Sequence, residues 1–130
     1  MIEVKQTAQL SAVFTEKELD IYKSLTGDSN PRYIEKNSEG QLTVPSDLLM
    51  GLISNLLGTR LPGRGTNWLK QKLTFPEDAY TGEEITATIE VTSVRPEKNL
   101  VNLHSECKTA GGKIVCIGES LVLIKDLLTD

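Results

Sequence analysis

Histidine occurs once in these 130 residues and cysteine only twice. No His or Cys cluster carries metal-ligand spacing, and two cysteines are too few for a disulfide scaffold, so the reading is no metal and no cross-linked framework. Basic residues are also short: 14 Lys and Arg face 18 Asp and Glu, giving a net charge of -4 and a pI near 5.1. That balance argues against a general nucleic-acid or anionic-membrane surface. No apolar run is long enough to cross a bilayer. The opening MIEVKQTAQL lacks the basic and apolar regions of a secretory leader, so a cytoplasmic protein is expected. There is no G-x-S-x-G elbow, no P-loop and no dinucleotide fingerprint, and no cofactor is implied.

What is present fits a soluble globular chain, 38% hydrophobic and 25% charged. The length suits one core, and no repeat, low-complexity tract or linker divides it, so residues 1–130 read as one domain.

Phe14 to Gly27 predicts a helix, with Thr15 as N-cap, Glu18 closing a capping box, Phe14 and Leu19 as a hydrophobic staple, and Gly27 as the stop. Leu19, Tyr22 and Leu25 recur at three-residue spacing and are expected to clamp this helix onto the core, with no chemistry assigned to them. A second helix starts from Ser46 as cap, with Asp47 suiting the positive dipole end and Gly58 terminating it. Its surface is mostly apolar, which predicts a central helix buried nearly all round. Asn30 to Val44 between the helices shows no period and reads as a long irregular connection.

The second half reads as strands forming an antiparallel meander. Leu69, Gln71, Leu73 and Phe75 alternate with Trp68, Lys70, Lys72 and Thr74; Ile85, Ala87, Ile89 and Val91 alternate with Thr and Glu; and Val101, Leu103, Ser105 and Cys107 continue the pattern. Gly111-Gly112 suggests a two-residue hairpin before a last strand from Ile114 to Ile124, which would set Cys107 opposite Cys116 as two buried free thiols.

One local cluster has chemical content: Gly27-Asp28-Ser29-Asn30-Pro31-Arg32-Tyr33 sets an acid, an amide and a phenol in a tight turn after a helix stop. Taken alone, Asp28 and Asn30 also suit plain turn formers.

The run from Phe14-Thr15-Glu16 to Gly27-Asp28-Ser29-Asn30-Pro31 resembles the opening of the MaoC-like (R)-specific enoyl-thioester hydratases, where a helix leads into D-x-N-P-x-H. Leu52 to Gly63 resembles that family's central helix and following loop. Gln71, Leu73 and Phe75 fit its next strand, Tyr80-Thr81-Gly82-Glu83 its Y-P-G-D turn, and Gly111 to Ile124 its closing hairpin. The resemblance spans nearly the whole chain. It implies an α+β hotdog domain, a curved antiparallel sheet wrapped around a long buried helix, dimerised. It also implies an acyl thioester of CoA or acyl carrier protein as ligand. In the family, the Asp and His of the motif handle protons while an amide at the buried helix's N-terminus receives the thioester oxygen. Asp28 matches the Asp and Asn30 the Asn that supports the turn.

Two departures stand out. Tyr33 occupies the position of the family's His, and an ordinary phenol, with a pKa of ~10, is a poor base at neutral pH, though it can orient water or donate a proton. Val44-Pro45-Ser46-Asp47 stands where the family has A-H-G-M, so Pro45, Ser46 and Asp47 line the expected thioester site. A Ser46 hydroxyl capping the helix would compete with the substrate oxygen, and Asp47 would place negative charge beside a developing enolate. Gly63 and Gly65 in the loop after the helix are the remaining substrate-binding candidates. His104 alternates with inward residues and should face outward; Arg64, Lys70 and Lys72 read as solvated cations able to meet CoA phosphates or a carrier protein. Three functions therefore stay open: a hydratase or dehydratase working through Asp28, a non-catalytic acyl-thioester-binding subunit or binder beside a catalytic homologue, and a hotdog thioesterase.

Overall fold

A computed structural model describes residues 2–124. Strand β1 (Thr7–Val13) is followed by helices α1 (Glu16–Thr26), α2 (Pro31–Ile34) and α3 (Ser46–Thr59). Strands β2 (Thr66–Thr74), β3 (Glu84–Arg95), β4 (Leu100–Thr109) and β5 (Ile114–Ile124) complete the order. All five strands form one sheet in the order β1-β3-β4-β5-β2, antiparallel throughout. Only β3, β4 and β5 form the predicted meander. Strand β2 crosses to pair with β5 and becomes one edge of the sheet, while β1 forms the other.

Strand β1 is absent from the sequence reading because TAQLSAV is too rich in small and polar residues to announce itself. Its Ala8, Leu10 and Ala12 nevertheless alternate as the half-buried side, and it pairs from Thr7↔Glu90 to Val13↔Glu84. In β3 and β4 the alternation holds: Ile85, Ala87, Ile89, Val91, Val101, Leu103, Ser105 and Cys107 are all fully buried. All but the polar Ser105 join Leu49, Ile53, Leu56 and Leu57 of α3 in one apolar core.

Helix α3 is buried along one side only. Leu48, Met50 and Leu52 are half-buried, and Gly51, Ser54 and Asn55 face outward, which corrects the expectation of burial all round. The helix also runs through Gly58 to Thr59, because Gly58 keeps helical geometry and the chain leaves at Arg60. In α1, Leu19 and Tyr22 are buried as expected, but Leu25 is 81% exposed: it sits on the last turn, past the reach of the core.

Strand β2 departs from the predicted facing through a bulge. Its register with β5 shifts between Trp68 and Lys70, so Trp68 and Leu73 turn inward while Leu69 is exposed. The β4–β5 hairpin closes at Thr109, whose N–H donates to Lys113, with Gly112 at positive φ. The loop is thus one residue longer than predicted, and a register shift after Cys107 compensates it. Cys107 and Cys116 do pair across the strands as buried free thiols. The hydrogen bond to Cys116, with burial, pushes the Cys107 thiol above its ordinary range.

Candidate active site

The site is assembled where α1, the turn after it and the start of α3 meet. Helix α1 begins at Thr15, whose hydroxyl donates to Glu18 at 2.7 Å and whose backbone N–H donates to the same carboxylate. It ends at Gly27, in the left-handed conformation with φ of 76°, its N–H donating to the Lys23 carbonyl. This stop turns the chain so that Asp28 points back along the helix.

Both oxygens of Asp28 are engaged. Oδ1 accepts from the Asn30 backbone N–H at 3.1 Å, and Oδ2 accepts from the Tyr22 hydroxyl at 3.1 Å. Asn30 in turn caps α2, its Oδ1 accepting from the Arg32 N–H at 3.1 Å, so its side chain holds the turn. The Arg32 guanidinium pairs with Asp78, tying α2 to the segment before β3.

Tyr22 is a candidate that the sequence alone does not mark. Its hydroxyl reaches Asp47 Oδ2 at 2.8 Å as well as Asp28 Oδ2, so one phenol bridges the carboxylates of the turn and of α3. Burial, then the hydrogen bonds to Asp47 and Asp28, raise this phenol above the ordinary range, so it stays neutral. A polar tip on a core-facing aromatic was the available signal, since a buried hydroxyl needs a partner. The ring of Tyr33 packs edge-on against that of Tyr22, with centroids 6.3 Å apart, and its hydroxyl makes no hydrogen bond among the described residues.

The start of α3 differs from the reading in its cap. Pro45, with φ of -57° and ψ of 139°, occupies the N-cap and Ser46 is the first helical residue. Proline has its φ fixed near the helical value, and its extended ψ lets the chain enter the helix one residue early. No side chain caps the helix, so Ser46 does not block the N-terminus. The first backbone donor engaged there is Leu48 N–H, on the Pro45 carbonyl. Pro45 is buried and Asp47 exposed.

Asp28, Asn30, Tyr33, Pro45, Ser46 and Asp47 therefore lie around the N-terminal end of α3. Gly63 and Gly65 do not join them: they follow the other end of a 14-residue helix, which spans about 20 Å. Gly63 is buried and ties back to the Leu57 carbonyl, while Gly65 is exposed; both have positive φ. Lys70 and Lys72 are exposed on β2, and Arg64 in the loop before it. His104 lies on the outer face against Glu119 at 3.0 Å and takes no part in the site.

No protein-family model matches the chain. An (R)-specific enoyl-CoA hydratase of Aeromonas caviae is 35% identical over 126 residues, covering 93% of this chain and 94% of that protein. The chain belongs to the (R)-specific enoyl-CoA hydratase family. A second such hydratase, from Rhodospirillum rubrum, is 35% identical over 129 residues, covering 95% of this chain and 88% of that protein. The solved structure of the A. caviae (R)-hydratase involved in PHA biosynthesis superposes with a TM-score of 0.88 at 34% identity, covering 95% of this chain and 97% of that one. The fold is accordingly the hotdog fold of these hydratases. The ChsH1–ChsH2 complex of Mycobacterium tuberculosis shares it at a TM-score of 0.82 and 14% identity, covering 96% of this chain and 100% of that chain.

Proposed function

We propose that the chain is an (R)-specific hydratase of trans-2-enoyl thioesters carried on CoA or acyl carrier protein, acting in acyl-chain metabolism in the cytoplasm. One observation carries this reading: the Asp28 carboxylate is held by Asn30 and Tyr22 beside the uncapped N-terminus of α3. Hydration needs a base for water, an acid for the carbon next to the thioester, and donors for the oxygen as enolate charge develops. Asp28 serves as the base. The first amides of α3, at Ser46 and Asp47, are oriented by the helix to receive the oxygen. No cofactor enters the chemistry.

Dimerisation accompanies this reading. Among the described residues strand β2 is an edge with one side unpaired and carries exposed Leu69, a place where hotdog chains can join across a two-fold axis. Gly63 and Gly65 would then reach a site only from the second copy, with Arg64 beside them to meet phosphate. Sedimentation as a stable monomer at micromolar protein would remove this part.

A second reading is favoured by Tyr33 at the histidine position: a non-catalytic acyl-thioester-binding subunit paired with a catalytic homologue. Conversion of crotonyl-CoA to (R)-3-hydroxybutyryl-CoA by the purified chain supports the enzyme. Saturable binding of crotonyl-CoA without turnover supports the subunit instead.

A further inference from the structure

The single proton of the Tyr22 hydroxyl faces two carboxylate oxygens, Asp28 Oδ2 at 3.1 Å and Asp47 Oδ2 at 2.8 Å. A hydroxyl has one proton to give and lone pairs to receive another, so it can take a proton from one neighbour while releasing its own to the next. The two neighbours here belong to different parts of the site. Asp28 sits on the turn after α1, at the position matching the family's acid. Asp47 sits in the first turn of α3, beside the amides that would hold the thioester oxygen. With the thioester oxygen on those amides, a group there would lie close to C2, which is one bond from the carbonyl carbon.

We propose that Tyr22 and Asp47 complete the proton path of the reaction, Tyr22 relaying to Asp47 the proton that Asp28 takes from water and Asp47 delivering it to C2. This rests on the hydratase reading above. The steps balance. Water oxygen bonds to C3 and its proton passes to the Asp28 carboxylate. The electron pair of the C2–C3 double bond moves toward the thioester oxygen, giving the enolate. Asp28 returns the proton to the Tyr22 oxygen as the Tyr22 proton moves to Asp47. Asp47 then gives that proton to C2 and the carbonyl re-forms. One water is consumed, and the three side chains end as they began.

Several features favour this path. Tyr22 is held neutral by burial and by its two acceptors, so it carries a proton without becoming a phenolate. The residue is buried and its ring is braced by that of Tyr33, which restricts where the hydroxyl points. The path also supplies a second proton-handling group where the family's histidine is missing, and His104 is engaged elsewhere by Glu119. Tyr22 acts through the two carboxylates and is a positioning and relaying residue.

The test compares the full-length protein with Tyr22→Phe, Asp47→Asn and Asp28→Asn in crotonyl-CoA hydration, and in exchange of the C2 hydrogens of butyryl-CoA in deuterium oxide. Tyr22→Phe and Asp47→Asn should each lower kcat about 10- to 100-fold with KM nearly unchanged, and the double variant should be no worse than either, as residues acting as a unit require. Asp47→Asn should lose C2 exchange, whereas Asp28→Asn, which acts on water, should retain it. Full kcat in Tyr22→Phe, or full exchange in Asp47→Asn, overturns the relay and leaves the hydratase standing. A wild-type protein that neither hydrates crotonyl-CoA nor exchanges butyryl-CoA overturns both.

Discussion

The ring of Tyr33 meets the ring of Tyr22 edge-on, at an interplanar angle of 89°. Tyr33 thus braces the phenol that bridges the two carboxylates, while its own hydroxyl makes no hydrogen bond among the described residues. Tyr33→Phe should therefore keep kcat within about twofold, because a lost acid or base costs far more. Tyr33→Ala should lower the stability by about 1 kcal/mol through loss of the aromatic contact, seen as a lower Tm. A large fall in kcat for Tyr33→Phe would instead make its hydroxyl a proton donor in the reaction.

The Tyr22 hydroxyl should resist ionisation as pH rises. Its folded pKa is raised above the unfolded value near ~10. The stability linked to its neutral form is thus complete below that pH and is lost as pH rises beyond it. In ultraviolet titration, the phenolate absorbance lost in Tyr22→Phe should appear only above the ordinary tyrosine range, and Asp47→Asn should bring it to lower pH. Appearance of that absorbance within the ordinary tyrosine range would count against the bridge.

Gly118 on β5 faces Leu73 on the edge strand β2. A β-carbon at Gly118 would fall on the Lys72 carbonyl oxygen and lie 2.9 Å from Leu73 Cα, both of them backbone atoms that cannot swing aside. Gly118→Ala should cost about 2 kcal/mol or more by overpacking, and should loosen β2 in particular. Urea unfolding reads the loss. An unchanged midpoint would mean that the two strands do not approach this closely.

Much of this architecture is legible in local pattern. The Thr15–Glu18 box and Gly27 mark α1 because they are chemistry between neighbours in sequence, and the period of two in Ile85 to Val91 marks β3 because burial imposes it residue by residue. Features that need distant partners are not legible in this way. Strand β1 declares itself only against β3, some eighty residues later, and Leu69 turns outward because a bulge breaks the period. In the site, the motif around Asp28 and Asn30 stands out through resemblance. The partners of Tyr22 lie 6 and 25 residues away, so its role appears only when α1 and α3 come together.

Whether Asp28 handles a proton in thioester hydration is decided by crotonyl-CoA turnover in wild type and Asp28→Asn. Wild type should hydrate crotonyl-CoA, and Asp28→Asn should lower kcat at least about a hundredfold while thioester binding persists, since a general base acts mainly in the transition state. Undiminished turnover by Asp28→Asn, or a wild-type protein that binds crotonyl-CoA and never hydrates it, would contradict that role for Asp28.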